Sequence, residues 1–148
     1  MSGNLKISFA GDKEMQANLK RLSIAMKEKI LKDAVTEAGK PIVAEAKSLV
    51  PTRTDGGESR GLKDLIIMKV KHYRRSEMVM AIIGAEWPAG NAAYPLEKGH
   101  KTTLKAGNEG KAFVEPRPFL EPAFDRAKQT LPLSIAATVK RGIEAAIG

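Results

Sequence analysis

Cysteine is absent from this 148-residue chain. That excludes disulfides and thiolate metal sites, and it agrees with folding in a reducing compartment. Histidine occurs at two positions only, His72 and His100. Glu97 and His100 have the i, i+3 spacing of some metal-binding pairs, but Gly99 interrupts the helix needed to hold them, so no metal site is expected. Aromatic residues make up 5% of the chain, and none alternates with basic residues as a stacking platform for nucleic-acid bases requires. The longest uncharged apolar runs, Met78–Ala85 and Leu131–Val139, fall far short of the ~20 residues of a membrane span. The first nine residues contain no apolar signal core. A soluble intracellular protein is the expectation, with no membrane partner. The sequence also lacks Gly-x-Ser-x-Gly, Gly-x-x-x-x-Gly-Lys-Ser/Thr and His-Glu-x-x-His, the patterns that would announce a nucleophile elbow, a phosphate loop or a zinc protease. No catalytic residue, cofactor or metal ligand is therefore assigned, and an enzyme is not expected.

What the chain does have is positive charge. Lysine and arginine number 25 against 17 acidic residues, a formal net charge of +8, which admits nucleic acid as a partner without requiring it. Most of the basic residues alternate with acids, as in Lys27–Glu28–Lys29 and Lys32–Asp33, and read as solvated helix faces. The cluster Arg60, Lys63, Lys69, Lys71, His72, Arg74 and Arg75 is denser. It reads either as a solvated strand face and turn or as a path for nucleic acid, with Lys69, Lys71, Arg74 and Arg75 as the phosphate-facing candidates. Such binding would be sequence-blind and steeply salt-dependent.

The length predicts one domain over residues 1–148. Leu5–Phe9 alternates like a short strand. Asp12 is placed to cap a first helix carrying Met15, Leu19 and Leu22 on one face, and Ser23 to cap a second. That second helix is long, with Met26, Ile30, Ala34, Ala38, Ile42, Ala46 and Leu49 in one stripe. Pro41 interrupts the stripe without changing its phase, which predicts one kinked helix rather than two. Thr52–Gly61 reads as a polar surface loop. Leu62–Tyr73 and Glu77–Ala85 read as β-segments joined by Arg74–Ser76 into an antiparallel hairpin, the second apolar almost throughout. One or two helical turns over Ala92–Lys98 stop at Gly99. His100–Gly110 reads as a loop, and Lys111–Val114 as a short strand. Pro116, Pro118 and Pro122 then impose a rigid extended lead-in that aims Phe119 and Leu120 at a pocket and starts a last helix. That helix is broken near Pro132 and carries Ile135, Val139, Ile143 and Ile147 on one face.

Taken in order, these features resemble the tail-completion or tail-component proteins of long-tailed bacteriophages, to which minor tail protein Z of lambdoid phages is related. The short strand and glycine stand as Ile7–Gly11, and the long helix closing on proline as Ala44–Pro51. The Tyr…Glu-x-Gly element is Tyr94, Glu97 and Gly99. The specific signature, Pro-Phe-Leu-x-Pro-Ala, is Pro118–Ala123. Asp55–Arg60 lengthens the family's Thr-Gly step, and Tyr94-Pro95-Leu96 replaces its usual approach to the glutamate.

The resemblance implies an α+β subunit: a small antiparallel β-sheet packed against a long kinked helix and a C-terminal helix. It implies a structural virion protein of the neck or tail, assembled in the host cytoplasm. Such a protein completes the tail or joins it to the head within an oligomeric, hexameric ring. Its neighbours would be the head-tail connector and the tail terminator or tube proteins, with DNA in the lumen. Tyr94, Glu97, Gly99, Arg117, Pro118, Phe119, Leu120 and Pro122 are the interface candidates. For Phe119 a place in the subunit's own core is the first reading and is compatible with a ring contact, and for Tyr94 and Glu97 a local role at the Gly99 turn is equally open. The alternative from another class is a small basic protein that binds nucleic acid without sequence preference.

Overall fold

A computed structural model describes residues 13–51, 61–88, 90–103 and 111–147. The expected strand Leu5–Phe9, the Asp12 cap, most of the Thr52–Gly61 loop and residues 104–110 lie outside the described residues. The architecture is α+β and is organised around one helix.

Helix α1 (Lys13–Arg21) leads into α2 (Ile24–Leu49). Ser23 begins α2 in extended geometry, and its hydroxyl accepts a hydrogen bond from Met26 N at 3.3 Å. This satisfies one of the donors that a helix start leaves without a partner. The helix runs unbroken through Pro41. Proline removes the N–H that would have bonded the carbonyl of Glu37, but Pro41 and Glu37 both face solvent, where water can serve that carbonyl. Val50 ends the helix, its N–H bonded to Ala46 O at 3.1 Å. Pro51 then holds Val50 extended, at φ −61 and ψ 125.

Around α2 the remaining elements form two flanks. On one lies the hairpin of β1 (Ile66–Tyr73) and β2 (Met78–Ala85), paired antiparallel from Ile66 opposite Ala85 to Tyr73 opposite Met78. On the other lie α5 (Leu120–Ala127) and α6 (Leu131–Ile147). The small residues of α2 permit this close approach. A Cβ built on Gly39 would strike Met68, whereas one on Gly142 of α6 would lie 2.9 Å from Ile30 Cγ1. Ile30 and Gly39 are nine residues apart, about two and a half helical turns, so they point in opposite directions from the axis of α2. The stripe of Ile30, Ala34, Ala38, Ile42 and Ala46 is buried between the flanks, against Ile135, Val139 and Ile143 of α6 among others.

Four local expectations are corrected. Leu62–Leu65 is a helical turn, α3, before the strand begins at Ile66, where the β-branched run starts. Glu77 belongs to neither strand; it sits in the left-handed region at φ 49 and closes the turn between them. Met26 is exposed despite lying on the helical stripe, in the first turn of α2. His100–Thr103 is not loop but strand β3, paired antiparallel with β4 (Lys111–Val114). A four-residue strand of basic and hydroxylic residues carries no periodic signal of its own.

Candidate interaction site

The short helix α4 (Ala93–Lys98) and the proline-rich lead-in are tied together through one side chain. Residues 116–122 comprise three prolines, which have no N–H, and four residues that do. All four donors go to Leu96 and Glu97. Arg117 N bonds Leu96 O at 2.8 Å. Glu97 Oε2 accepts from Phe119 N at 2.8 Å and Leu120 N at 3.1 Å, and Oε1 accepts from Glu121 N at 3.0 Å.

This arrangement is a helix cap supplied from another element. A helix start leaves its first four N–H groups without internal partners. In α5 these belong to Phe119, Leu120, Glu121 and Pro122. Phe119, at the capping position, has no side-chain acceptor, and Pro122 has no N–H to satisfy. Glu97 meets the three that remain. Its negative charge also sits at the positive end of the helix, and bonds to an ionised acceptor are about twice as strong as neutral ones. Glu97 is the one charged residue buried among the described residues, at 8% exposure.

The chain can reach this geometry because of Gly99. It follows α4 at φ 72 and ψ 165, a region open essentially to glycine alone. A Cβ there would lie 2.7 Å from Val114 O and 3.1 Å from Pro116 Cδ. Gly99 thus turns α4 into β3 against the start of the lead-in. Lys98 Nζ reaches Glu121 Oε2 at 3.2 Å on the surface, and His100 Nδ1 lies 3.4 Å from Pro95 O.

The eight residues singled out in this region separate into two sets. Phe119 is fully buried, at 0% exposure, packed with Ala123 in the core. Glu97 is turned inward on the cap. Leu120, Pro122 and Gly99 are half-buried. Tyr94, Arg117 and Pro118 face solvent. The lead-in therefore aims its phenyl ring into the subunit's own core and leaves the tyrosine, arginine and proline on the surface. The cap formed by Glu97 was not anticipated. The available signal was the donor count itself: a helix opening at Phe119, without a capping side chain, needs an acceptor from elsewhere.

The basic residues of the hairpin lie apart from this joint. Lys69 and Lys71 project from the outer face of β1, away from α2, and Arg74 and Arg75 form the turn at the hairpin tip. Opposite the two lysines, β2 presents Ile82 and Met80. Tyr73 and Ile82 of this face are well exposed, at 42% and 38%. His72 does not belong to the cluster. It lies on the inner face, where Nδ1 sits 3.3 Å from Glu28 Oε1 without hydrogen-bond geometry. Glu28 also accepts from Lys32 Nζ at 2.6 Å. That bond, with the charges of His72, Lys32 and Arg74, holds its carboxyl below its ordinary value against a smaller opposing desolvation.

Among the described residues no group of three or more His, Asp or Glu side chains could hold a metal ion. No helix among them is long and apolar enough to cross a membrane.

Residues 13–99, more than half of the chain, match the family described as "Bacteriophage HK97-gp10, putative tail-component". No curated protein matches the chain, and no solved structure does. The matched span runs from the start of α1 through the hairpin and α4, and it ends on Gly99. It includes Glu97 but not the segment that Glu97 caps.

Proposed function

Because this chain belongs to the bacteriophage tail-component family, we propose that it is a structural, non-enzymatic virion protein that completes the tail or joins it to the head. Its place is the neck, as one subunit of an oligomeric ring, sixfold to match the tail tube. The ring stands between the head-tail connector and the tail terminator or tube proteins. Subunits are made in the host cytoplasm and enter the particle during assembly.

The family match carries this reading. The surface supports it: Trp87, Tyr94 and Phe113 are exposed at 78%, 61% and 55%. Aromatic side chains of this kind, with arginine, are the commonest anchors of protein interfaces. The joint of α4 and α5 gives the surface around Tyr94, Arg117 and Pro118 a fixed backbone, which lowers the ordering cost of binding.

A phage carrying a nonsense codon in this gene tests the reading. Electron microscopy of lysates is expected to show DNA-filled heads with separate or abnormal tails, and supplying the protein in trans restores joined particles. Normal particles with altered DNA handling would instead favour the nucleic-acid-binding alternative and sink the structural role.

A further inference from the structure

Two surface regions of this chain are complementary, and they lie on different flanks of α2. The first is the outer face of the β1–β2 hairpin, where Lys69 and Lys71 stand beside Met80 and Ile82. Among the described residues neither lysine has a carboxylate partner, whereas Lys32, Lys40, Lys98, Arg126 and Lys128 each do. The second is a groove of about 490 Å³ along α5, lined by Pro118, Glu121, Pro122, Asp125 and Arg126. Pro118 and Pro122 supply the apolar part of its lining. Glu121 and Asp125 outnumber Arg126 in its lining, and Arg126 is itself paired at the surface with Glu45. Those two carboxylates are held only by exposed pairs with Lys98 and Lys128, which contribute little and exchange readily.

We propose that the outer face of the β1–β2 hairpin of one copy seats in the Pro118–Arg126 groove of the next. Lys69 and Lys71 would meet Glu121 and Asp125, with Met80 and Ile82 against Pro118 and Pro122. The inference rests on the ring reading above and assigns the surfaces that build it. The hairpin packs its inner face on α2 at Gly39. The groove's helix is tied to α2 at Glu45 through Arg126, a different side of the same helix. One chain cannot bring its own two surfaces together. Each copy therefore offers one surface to each neighbour, a head-to-tail contact that closes into a ring when the rotation allows. Nucleic acid would meet the same lysines, but a face that alternates lysine with methionine and isoleucine suits a partner that is apolar as well as acidic. A phosphate backbone offers nothing to the apolar half.

Charge reversal supplies the test. Lys69→Glu with Lys71→Glu, and separately Glu121→Lys with Asp125→Lys, each place like charges in the contact. Each is expected to weaken self-association of the full chain by more than about tenfold in light scattering at low salt. Mixing the two variants restores complementarity at every contact and is expected to recover the parent's assembly. The absence of native cysteine permits a second readout. Phage particles whose copies carry both Lys71→Cys and Glu121→Cys are expected to give a covalent ladder on mild oxidation. Particles with either substitution alone are expected to give none. Particles that contain the doubly substituted chain but yield no ladder overturn the proposal and leave the ring reading standing. Particles that lack the chain overturn the reading beneath it. Unchanged assembly of the Lys69→Glu, Lys71→Glu variant with loss of DNA retention on filters assigns the lysines to nucleic acid and also overturns the proposal.

Discussion

The proline-rich joint and the outer face of the hairpin treat their polar groups in opposite ways. At the joint every N–H between Pro116 and Pro122 has an acceptor, and the buried Glu97 carboxylate takes three of the four. On the hairpin face two lysines stand, among the described residues, without carboxylates beside exposed isoleucine and half-buried methionine. A region whose donors are all satisfied internally is finished by folding. A region left with unpaired charge and uncovered apolar surface is finished by something else. Substitutions at the joint should therefore register as lost stability, and substitutions on the hairpin face as lost association with the fold intact.

Phe119→Ala is the strongest test of the joint. Its ring is fully buried, so the substitution is expected to cost about 3–5 kcal/mol, read as a lowered midpoint in urea. An unchanged midpoint would mean that the ring is not part of the core. Glu97→Ala should cost about 2–3 kcal/mol, because it strands three N–H groups of which Phe119 N is buried. Glu97→Gln keeps one acceptor oxygen and should lose less. A loss from Glu97→Ala no larger than that from a surface alanine substitution would show that the cap is not needed. Gly99→Ala follows at about 1–3 kcal/mol, the cost of a side chain in this backbone region. Amide exchange in α5 should rise with it, since the same turn positions the cap.

A smaller effect separates the inner face of the hairpin from the outer. The Glu28 carboxyl is held below its ordinary value of 4.5, first by the hydrogen bond from Lys32. Its folded pKa thus lies below its unfolded one. The stabilisation is complete above about pH 4.5 and fades as pH falls through the lower, folded value. Thermal melts taken downward from about pH 6 should show this acid-side loss, and Glu28→Gln should remove its share of it. The smallest effect belongs to the outer face. Lys69→Ala and Lys71→Ala should leave the melting of the unassembled chain unchanged within about 0.5 kcal/mol. A large loss from either would place that face inside the fold and erase the contrast.

Much of this was legible along the chain, because local chemistry fixes local geometry. Ser23 marks the start of α2, Gly99 the end of α4, and Pro132 the start of α6, each through a backbone constraint that acts within a few residues. Strand β1 was readable from its alternation over Ile67–Tyr73, and β2 from an apolar run bounded by a turn. Strand β3 was not, since its identity depends on a partner in Lys111–Val114 rather than on its own pattern. Leu62–Leu65 was misjudged because leucine serves helix and strand alike. For Phe119 two readings stood open, and burial chose the core.

By itself the sequence determined where α2 and α4 end, where the backbone is stiff, and which stripe of α2 is apolar. These follow from proline, glycine, capping side chains and hydrophobic period, all of which act over a turn or two. Tertiary structure alone decided that Glu97 caps a helix beginning more than twenty residues later, and that the hairpin and α5 lie on different flanks of α2. Hydrogen-bond acceptors and surface partners are chosen by proximity in space, and proximity is set only once the chain has folded.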